Sequence, residues 1–364
     1  MHYRDLSDHE VYVPGEGLVE VARELGMDPE ELVALGSNEN PHGPPENAID
    51  AISSAASSVH EYPKSSHTDL TESLAKHWDV SPEQVWLSPG ADGAIDYLSR
   101  AVLRPGDRIL VPQPGFSYYA MSSRYHHGAV EHYPVSRESD FTVTDETVLE
   151  AYDDHRIVFL TSPHNPTGSV VTHDTIRSIA AQTDSDTLVV VDEAYGEFSS
   201  IASARELLDH RDDIAVLRTF SKAYGLAGLR VGYALVPDSW ADAYGRINTP
   251  FAVNEIACRA ASAALADQSH VEKTVSSAKT QRKRLQSELK VPTWESQGNF
   301  VLAEVGDAST VSDQLKQRGV IVRDCSSFGL SDCIRISCGT EQETTEAINA
   351  VNDVVAALSS SHGD

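Results

Sequence analysis

Basic residues are what this chain is shortest of: 28 Lys+Arg stand against 55 Asp+Glu, 28 − 55 = −27, and only eight of the 28 are lysine. So negative a surface has little basic patch with which to neutralise phosphates, which argues against nucleic acid and anionic membranes as partners. The acidic excess is spread along the chain rather than gathered in a tail. That is the pattern expected of a protein in a salt-rich cytoplasm, where ions screen the self-repulsion. Cysteine is scarce too: Cys258, Cys325, Cys333 and Cys338 form no C-x-x-C pair and no zinc-like spacing. Free buried thiols in a reducing compartment are expected, and no metal site. No run approaches the ~18 consecutive apolar residues of a membrane span. The opening Met1-His-Tyr-Arg-Asp5 lacks the apolar core of a signal peptide, so the cytoplasm is the expected location. The fifteen histidines show no H-E-x-x-H spacing and read as surface or packing residues.

What is present is an ordinary folded composition. With 364 residues, 40% hydrophobic and 23% charged, the chain can build one large domain and a smaller one. From about 84 to 236, short apolar runs alternate with helical patterns. The runs are Val85-Trp-Leu, Arg108-Ile-Leu-Val, Arg156-Ile-Val-Phe-Leu, Leu188-Val-Val-Val, Ala215-Val-Leu and Val231-Gly-Tyr-Ala-Leu-Val. Continuous β-branched runs suit strands buried on both faces, and the alternation predicts an α/β fold with a mainly parallel sheet. Residues 254 to 290 lack Pro and Gly and read as long helix. After Pro292 come Asn299-Phe-Val-Leu-Ala-Glu, Val320-Ile-Val-Arg and Cys333-Ile-Arg-Ile-Ser, the strands of a smaller α+β unit. The expected division is an N-terminal arm with part of the small domain (1–50), a large domain (51–254), a bridging helical segment (255–290) and a small C-terminal domain (291–364).

Chemistry enters with an ordered set of motifs. Val190-Val-Asp-Glu-Ala-Tyr195 puts a carboxylate at the end of a buried strand, where desolvation is unfavourable without a cationic partner. Thr219-Phe-Ser-Lys-Ala-Tyr-Gly-Leu-Ala-Gly-Leu-Arg230 puts a lysine just past another. Either feature alone is commonly a cap or a solvated surface group. Together with Pro89-Gly-Ala-Asp-Gly93 and Ser162-Pro-His-Asn-Pro-Thr-Gly168 they fall at predicted C-terminal strand ends, where open α/β sheets bind ligands. The set meets the needs of pyridoxal phosphate: a lysine amine for its aldehyde, an acid for its ring nitrogen, and amides, hydroxyls and an arginine for its phosphate.

In order and spacing these residues resemble the fold-type I pyridoxal-phosphate aminotransferases over nearly the whole chain. That resemblance implies a mainly parallel seven-stranded sheet in the large domain and a smaller α+β domain. It implies Lys222 as the residue that takes the cofactor, with Asp192 on the ring nitrogen and Tyr195 and Asn165 on the phenolic oxygen. Phe116 would stack on the ring, while Ala91, Asp92, Thr219, Ser221 and Arg230 would hold the phosphate. Arg335, in Ile334-Arg-Ile-Ser, matches the arginine that grips a substrate carboxylate, a task suited to its planar fork.

Within that family the chain is most similar to the histidinol-phosphate aminotransferases. The similarity rests on Val11-Tyr-Val-Pro-Gly-Glu, Leu35-Gly-Ser-Asn-Glu-Asn-Pro-His-Gly-Pro44, Glu61-Tyr-Pro-Lys, Asn299-Phe-Val-Leu and Gly319-Val-Ile-Val-Arg-Asp324. The resemblance implies amino transfer from histidinol phosphate to 2-oxoglutarate, in histidine biosynthesis. Arg335 and Arg323 would bind the anionic ends of the substrates. It also implies a homodimer with shared active sites, Tyr62 reaching the neighbour's cofactor phosphate and Tyr12 the neighbour's substrate. Aromatic or aspartate aminotransferases and threonine-phosphate decarboxylase share part of the motif set and are the alternatives. The chain departs from the family pattern at Gly115, where Thr is usual, at Phe116, where Tyr is frequent, and at His164, where Asn is common.

Overall fold

The apolar runs become strands in the computed structural model, which describes residues 2, 6, 7, 9, 11–13, 17–64 and 67–361. Pro14, Gly15 and Glu16 of the opening motif lie outside the described residues. In chain order the strands are β1 (Val33–Ala34), β2 (Val85–Ser88), β3 (Arg108–Gln113), β4 (Ala129–Pro134), β5 (Ile157–Thr161) and β6 (Leu188–Asp192). Then come β7 (Ile214–Thr219), β8 (Gly232–Leu235), β9 (Phe300–Glu304), β10 (Val320–Ile321), β11 (Arg323–Asp324) and β12 (Cys333–Ser337). Seven of them form one sheet in the order β2-β8-β7-β6-β5-β3-β4. β8 runs antiparallel to both neighbours and every other pairing is parallel.

The sheet is buried on both faces, which is why its inner strands read as unbroken apolar runs. Alternation along β6 divides the core: Leu188 and Val190 join Trp86, Ile95 and Tyr119 on one face, while Val189 and Val191 join Leu74 and Ala260 on the other. β4 escaped the sequence reading. It is an edge strand, half polar and ending in Pro134, a residue that a sheet edge tolerates because no ladder donor is needed there.

The segment read as one long helix is two, Glu255–Ala266 and Gln268–Glu288. Asp267 breaks it without Pro or Gly, its side chain accepting from the His270 N–H to cap the second helix. The run Val320 to Arg323 is also divided. β10 pairs in parallel with β1, while β11 joins the antiparallel sheet β11-β12-β9. Its register sets Arg323 directly opposite Arg335.

Candidate active site

The C-terminal ends of β2, β5, β6 and β7 open onto a cleft of about 520 Å³. Lining it are Ala91, Asp92, Phe116, Asn165, Asp192, Tyr195, Thr219, Ser221, Lys222 and Arg230, together with Tyr12, Arg323 and Arg335. Of the expected site residues only Tyr62 lies elsewhere. It is 84% exposed and packs its ring on Phe251 at 5.0 Å.

Each strand end delivers its group by a local device. After β2 the chain turns through Gly90 at φ +74 into the helix Gly90–Val102, leaving Ala91 and Asp92 in a first turn whose N–H groups lack intrahelical partners. The left-handed turn calls for glycine, and a Cβ there would stand 2.6 Å from the Arg230 guanidinium and push it aside. Arg230 bonds Asp92 at 2.9 Å and reaches the Ser221 hydroxyl at 3.5 Å, and Thr219 and Ser221 bond each other at 3.0 Å. Helix N–H groups, two hydroxyls and a guanidinium thus converge at one end of the cleft, a donor set matched to a phosphate. Burial raises the Asp92 carboxyl, while Arg230 and Lys222 oppose that rise.

Asp192 is buried at the end of β6, and no ion pair among the described residues involves it. Burial pushes its carboxyl up to about 6, against the pull of two donors, the Tyr119 hydroxyl at 2.6 Å and the Ala194 N–H at 2.9 Å. A buried carboxylate without a cation at the wall of a cleft fits a ligand that brings its own, such as a protonated ring nitrogen. Burial itself raises Tyr119 well above the ordinary phenol range, so it stays protonated and donates.

Three consecutive residues then hold three site side chains. The Gly36 carbonyl accepts from Arg335 at 2.7 Å, the Ser37 carbonyl accepts from Lys222 Nζ at 3.1 Å, and Asn38 Nδ2 donates to the Tyr195 hydroxyl at 3.1 Å. Arg335 also donates to Asn165 Oδ1 at 2.5 Å, which leaves the Asn165 amide nitrogen free to donate into the cleft. Among the described residues, buried Arg335 Nε has no partner. Across the strand pair, Arg323 donates to the Val13 carbonyl and the Ser327 hydroxyl, both at 3.0 Å. Burial, with Arg323 adding to it, depresses the Arg335 guanidinium, and like charges directly opposite are unfavourable until an anion joins them. Next to Val13, Tyr12 lines this chain's own cleft, edge-on to Phe116 at 6.2 Å.

The departures from the family pattern have local reasons. A Cβ at Gly115 would come within 2.4 Å of the Pro112 carbonyl. His164 is pushed down to about 4 by burial and is therefore neutral. Nε2 sits 3.0 Å from the Pro114 carbonyl and Nδ1 2.8 Å from the Thr167 hydroxyl, tying the Phe116 loop to the Asn165 loop.

Sequence reasoning missed Tyr119 and Asn38. Tyr119 stands three residues past the predicted stacking residue, in the helix Tyr118–Tyr125 that follows it. Asn38 lies inside a motif that was read only as a resemblance. Sequence reasoning also gave no role to Glu193 and Arg218, which alternation turns to the far side of Asp192 and Thr219. There Arg218 is buried between Glu193 at 2.7 Å and Glu197 at 2.6 Å, under the Trp78 ring at 4.7 Å. This triad ties the ends of β6 and β7 together from behind.

Comparison with known proteins bears on the same cleft. Residues 30–351 match the family described as aminotransferase class I and II. A histidinol-phosphate aminotransferase of Halorubrum lacusprofundi is 62% identical, with 98% of each chain covered. One of Haloferax volcanii is 61% identical over 98% of this chain and 99% of its own. Among solved structures, histidinol-phosphate aminotransferase of Sinorhizobium meliloti in complex with pyridoxal-5'-phosphate superposes with a TM-score of 0.86. It shares 29% identity and covers 95% of this chain and 96% of its own.

Proposed function

Because the chain belongs to the class I and II aminotransferase family, we propose that it transfers the amino group of L-histidinol phosphate to 2-oxoglutarate. The products are 3-(imidazol-4-yl)-2-oxopropyl phosphate and L-glutamate, in L-histidine biosynthesis, and the cofactor is pyridoxal 5'-phosphate. The observation that carries this reading is the β11/β12 register. It places two guanidinium groups opposite each other at the cleft, one of them with a buried N–H that lacks a partner. A pair of forks suits a substrate end with more oxygen acceptors than one carboxylate offers. The high identity to relatives of that name supports it independently.

Bound in the cleft, pyridoxal phosphate supplies an aldehyde that takes up amines and a ring that accepts electron density. Lys222 Nζ would hold that aldehyde, and its amine would serve as the base that moves the proton of the substrate carbon. Asp192 keeps the ring nitrogen protonated. Tyr195 and Asn165 donate to the phenolic oxygen, and Phe116 covers one ring face. Ala91, Asp92, Thr219, Ser221 and Arg230 hold the phosphate. Arg335 binds the carboxylate of 2-oxoglutarate and the phosphate of the donor in turn, with Arg323 weighted toward the phosphate, and Tyr12 packs on the donor.

The exposed apolar positions Val59, Tyr62 and Phe251 support a homodimer in which Tyr62 reaches the partner's phosphate site. The reading keeps residues 51–254 as the cofactor domain, with 1–50 and 291–364 forming the arm and small domain and 255–290 the bridge. It also places the enzyme in a salt-rich cytoplasm, as the −27 charge and the halophilic archaeal relatives suggest. No helix among the described residues is long and apolar enough to cross a membrane.

The deciding assay follows glutamate formation from 2-oxoglutarate in molar KCl with each candidate donor. Histidinol phosphate is expected to be the preferred donor. Faster turnover with phenylalanine or aspartate, or decarboxylation of threonine phosphate, would overturn the assignment.

A further inference from the structure

Asn38 occupies a position with two demands. Its backbone is left-handed at φ 53, a conformation that Asn and Asp tolerate better than other side-chain-bearing residues, and it is 1% exposed. Burial obliges each of its polar atoms to find a partner, and the partners fix which way protons point. The Asn38 N–H can only donate, and it donates to Ser337 Oγ at 2.9 Å. Ser337 is itself buried, so its proton also needs an acceptor, and among the described residues it finds Asn38 Oδ1, at 2.9 Å. With the Ser337 proton placed there, Oδ1 faces Ser337 and Nδ2 faces the Tyr195 hydroxyl at 3.1 Å. The Asn38 carbonyl is taken by Asn299 Nδ2 at 3.1 Å, so the segment is held from both sides. An amide nitrogen cannot accept, so the Tyr195 oxygen accepts from Asn38 and its own proton must point elsewhere. Tyr195 lines the cleft.

We propose that Asn38 is a positioning residue that fixes Tyr195 as a hydrogen-bond donor toward the cleft, and that Ser337 sets the direction of that relay. The ligand is an anionic oxygen on the ring of the cofactor held by Lys222, so the inference rests on the function proposed above. Ser337 lies two residues from Arg335 on the same face of β12. The strand that binds the substrate's anionic end thus also orients the phenol that stabilises the cofactor's oxygen.

The test reads the visible absorbance band of the full-length holoenzyme against pH in molar KCl. Asn38→Asp keeps the left-handed backbone, the N–H and the Ser337 contact, but replaces the donor that faces Tyr195 with an acceptor. The Tyr195 proton is then drawn back from the cleft, and the cofactor oxygen becomes more basic. The midpoint pH of the band is expected to rise by about one to two pH units, the scale of one hydrogen bond to a charged group. In a Tyr195→Phe background the same substitution is expected to add nothing. An unmoved midpoint overturns the proposal, and so does an equal rise in the Tyr195→Phe background, which would make the effect one of bare charge. If Asn38→Asp does not fold, Ser337→Ala unlocks the amide and should move the midpoint upward, and no movement there also overturns the relay. Absence of any visible band in the unmutated protein with added cofactor would sink the reading beneath the proposal, whereas a normal band with an unmoved midpoint sinks the relay alone.

Discussion

Tyr119→Phe removes one oxygen from behind Asp192; it leaves the Thr161 hydroxyl short of one buried contact at every pH, and its pH-dependent consequences follow from charge. Burial raises the Asp192 carboxyl from its ordinary 3.8 to about 6, with the Tyr119 donor restraining the rise. Below both values the native and unfolded states are both protonated, and the group contributes nothing. Between them the native state holds the proton more tightly, so stability falls as pH rises through that window and then levels off. A window about two pH units wide corresponds to a loss of ~3 kcal/mol in the cofactor-free protein at neutral pH. A hydrogen bond to a charged group is worth ~1.5–3 kcal/mol, so losing it should carry the titration about one to two pH units higher and deepen the loss by that amount. Denaturant unfolding of the two cofactor-free proteins, run from pH 5 to 9 in about 2 M KCl to screen surface charge, isolates the effect as a difference. The variant should be nearly as stable as the parent at the acid end and progressively weaker above about pH 6. A difference that is flat with pH, or largest in acid, would refute the claim that Tyr119 acts by holding Asp192 ionised.

Lys222→Ala should abolish the visible cofactor absorbance and slow amino transfer by several orders of magnitude. The melting temperature should barely move, because among the described residues Nζ makes one hydrogen bond, to the Ser37 carbonyl, beside a contact with the Tyr195 ring at 5.7 Å. A retained band would mean that another amine carries the cofactor. Arg323→Gln should raise the histidinol phosphate needed for half-saturation by roughly one to two decades while changing 2-oxoglutarate much less, and equal losses would make the residue structural. Arg218→Met leaves Glu193 and Glu197 buried without a cation and should cost about 3–5 kcal/mol in chemical denaturation; a loss below ~1 kcal/mol would show that the triad does not brace the strand ends. The −27 charge predicts a melting temperature that climbs from low salt to molar KCl, and a flat profile would mark an ordinary acidic surface.

What the sequence made legible depends on how far apart the causes lie. The inner strands announced themselves because burial on both faces demands apolar residues at every position. The edge strand β4, with one neighbour and a polar side, carried no such demand. Asp267 ended a helix without the usual breakers, because a side-chain cap does that work as well as glycine does. At the site, Lys222, Asp192 and Arg335 were visible as motif members whose chemistry is local to their strand ends. Tyr119 and Asn38 were not, since each acts through a partner 73 or 157 residues away in the chain. Periodicity carries no trace of such pairings. Tyr62 belongs to a further class: its expected role lies in a neighbouring subunit's site, and within one chain its exposed ring packs on Phe251.

The acidic surface and the cationic cleft are two parts of one electrostatic problem. Lys222, Arg230, Arg323 and Arg335 line the cleft against Glu39, Asp92 and Asp192, so a chain carrying −27 overall turns a slight positive excess toward its ligands. At physiological ionic strength the Debye length is about 8 Å, long enough for the surrounding acids to repel an approaching phosphate, but at molar salt it falls to about 3 Å. Repulsion from the surface then fades before the ligand arrives. What survives is contact at hydrogen-bond distance inside the cleft, where ions do not fit between the partners. Recognition under those conditions cannot rely on steering and must come from geometry. Geometry favours the guanidinium, whose planar fork holds an oxyanion at two points and whose weak hydration makes desolvation easier than for an ammonium. The composition agrees: lysine supplies only eight of the 28 basic residues. The lysine in the cleft is Lys222, at the position where the proposed function needs an amine as a nucleophile rather than as a charge.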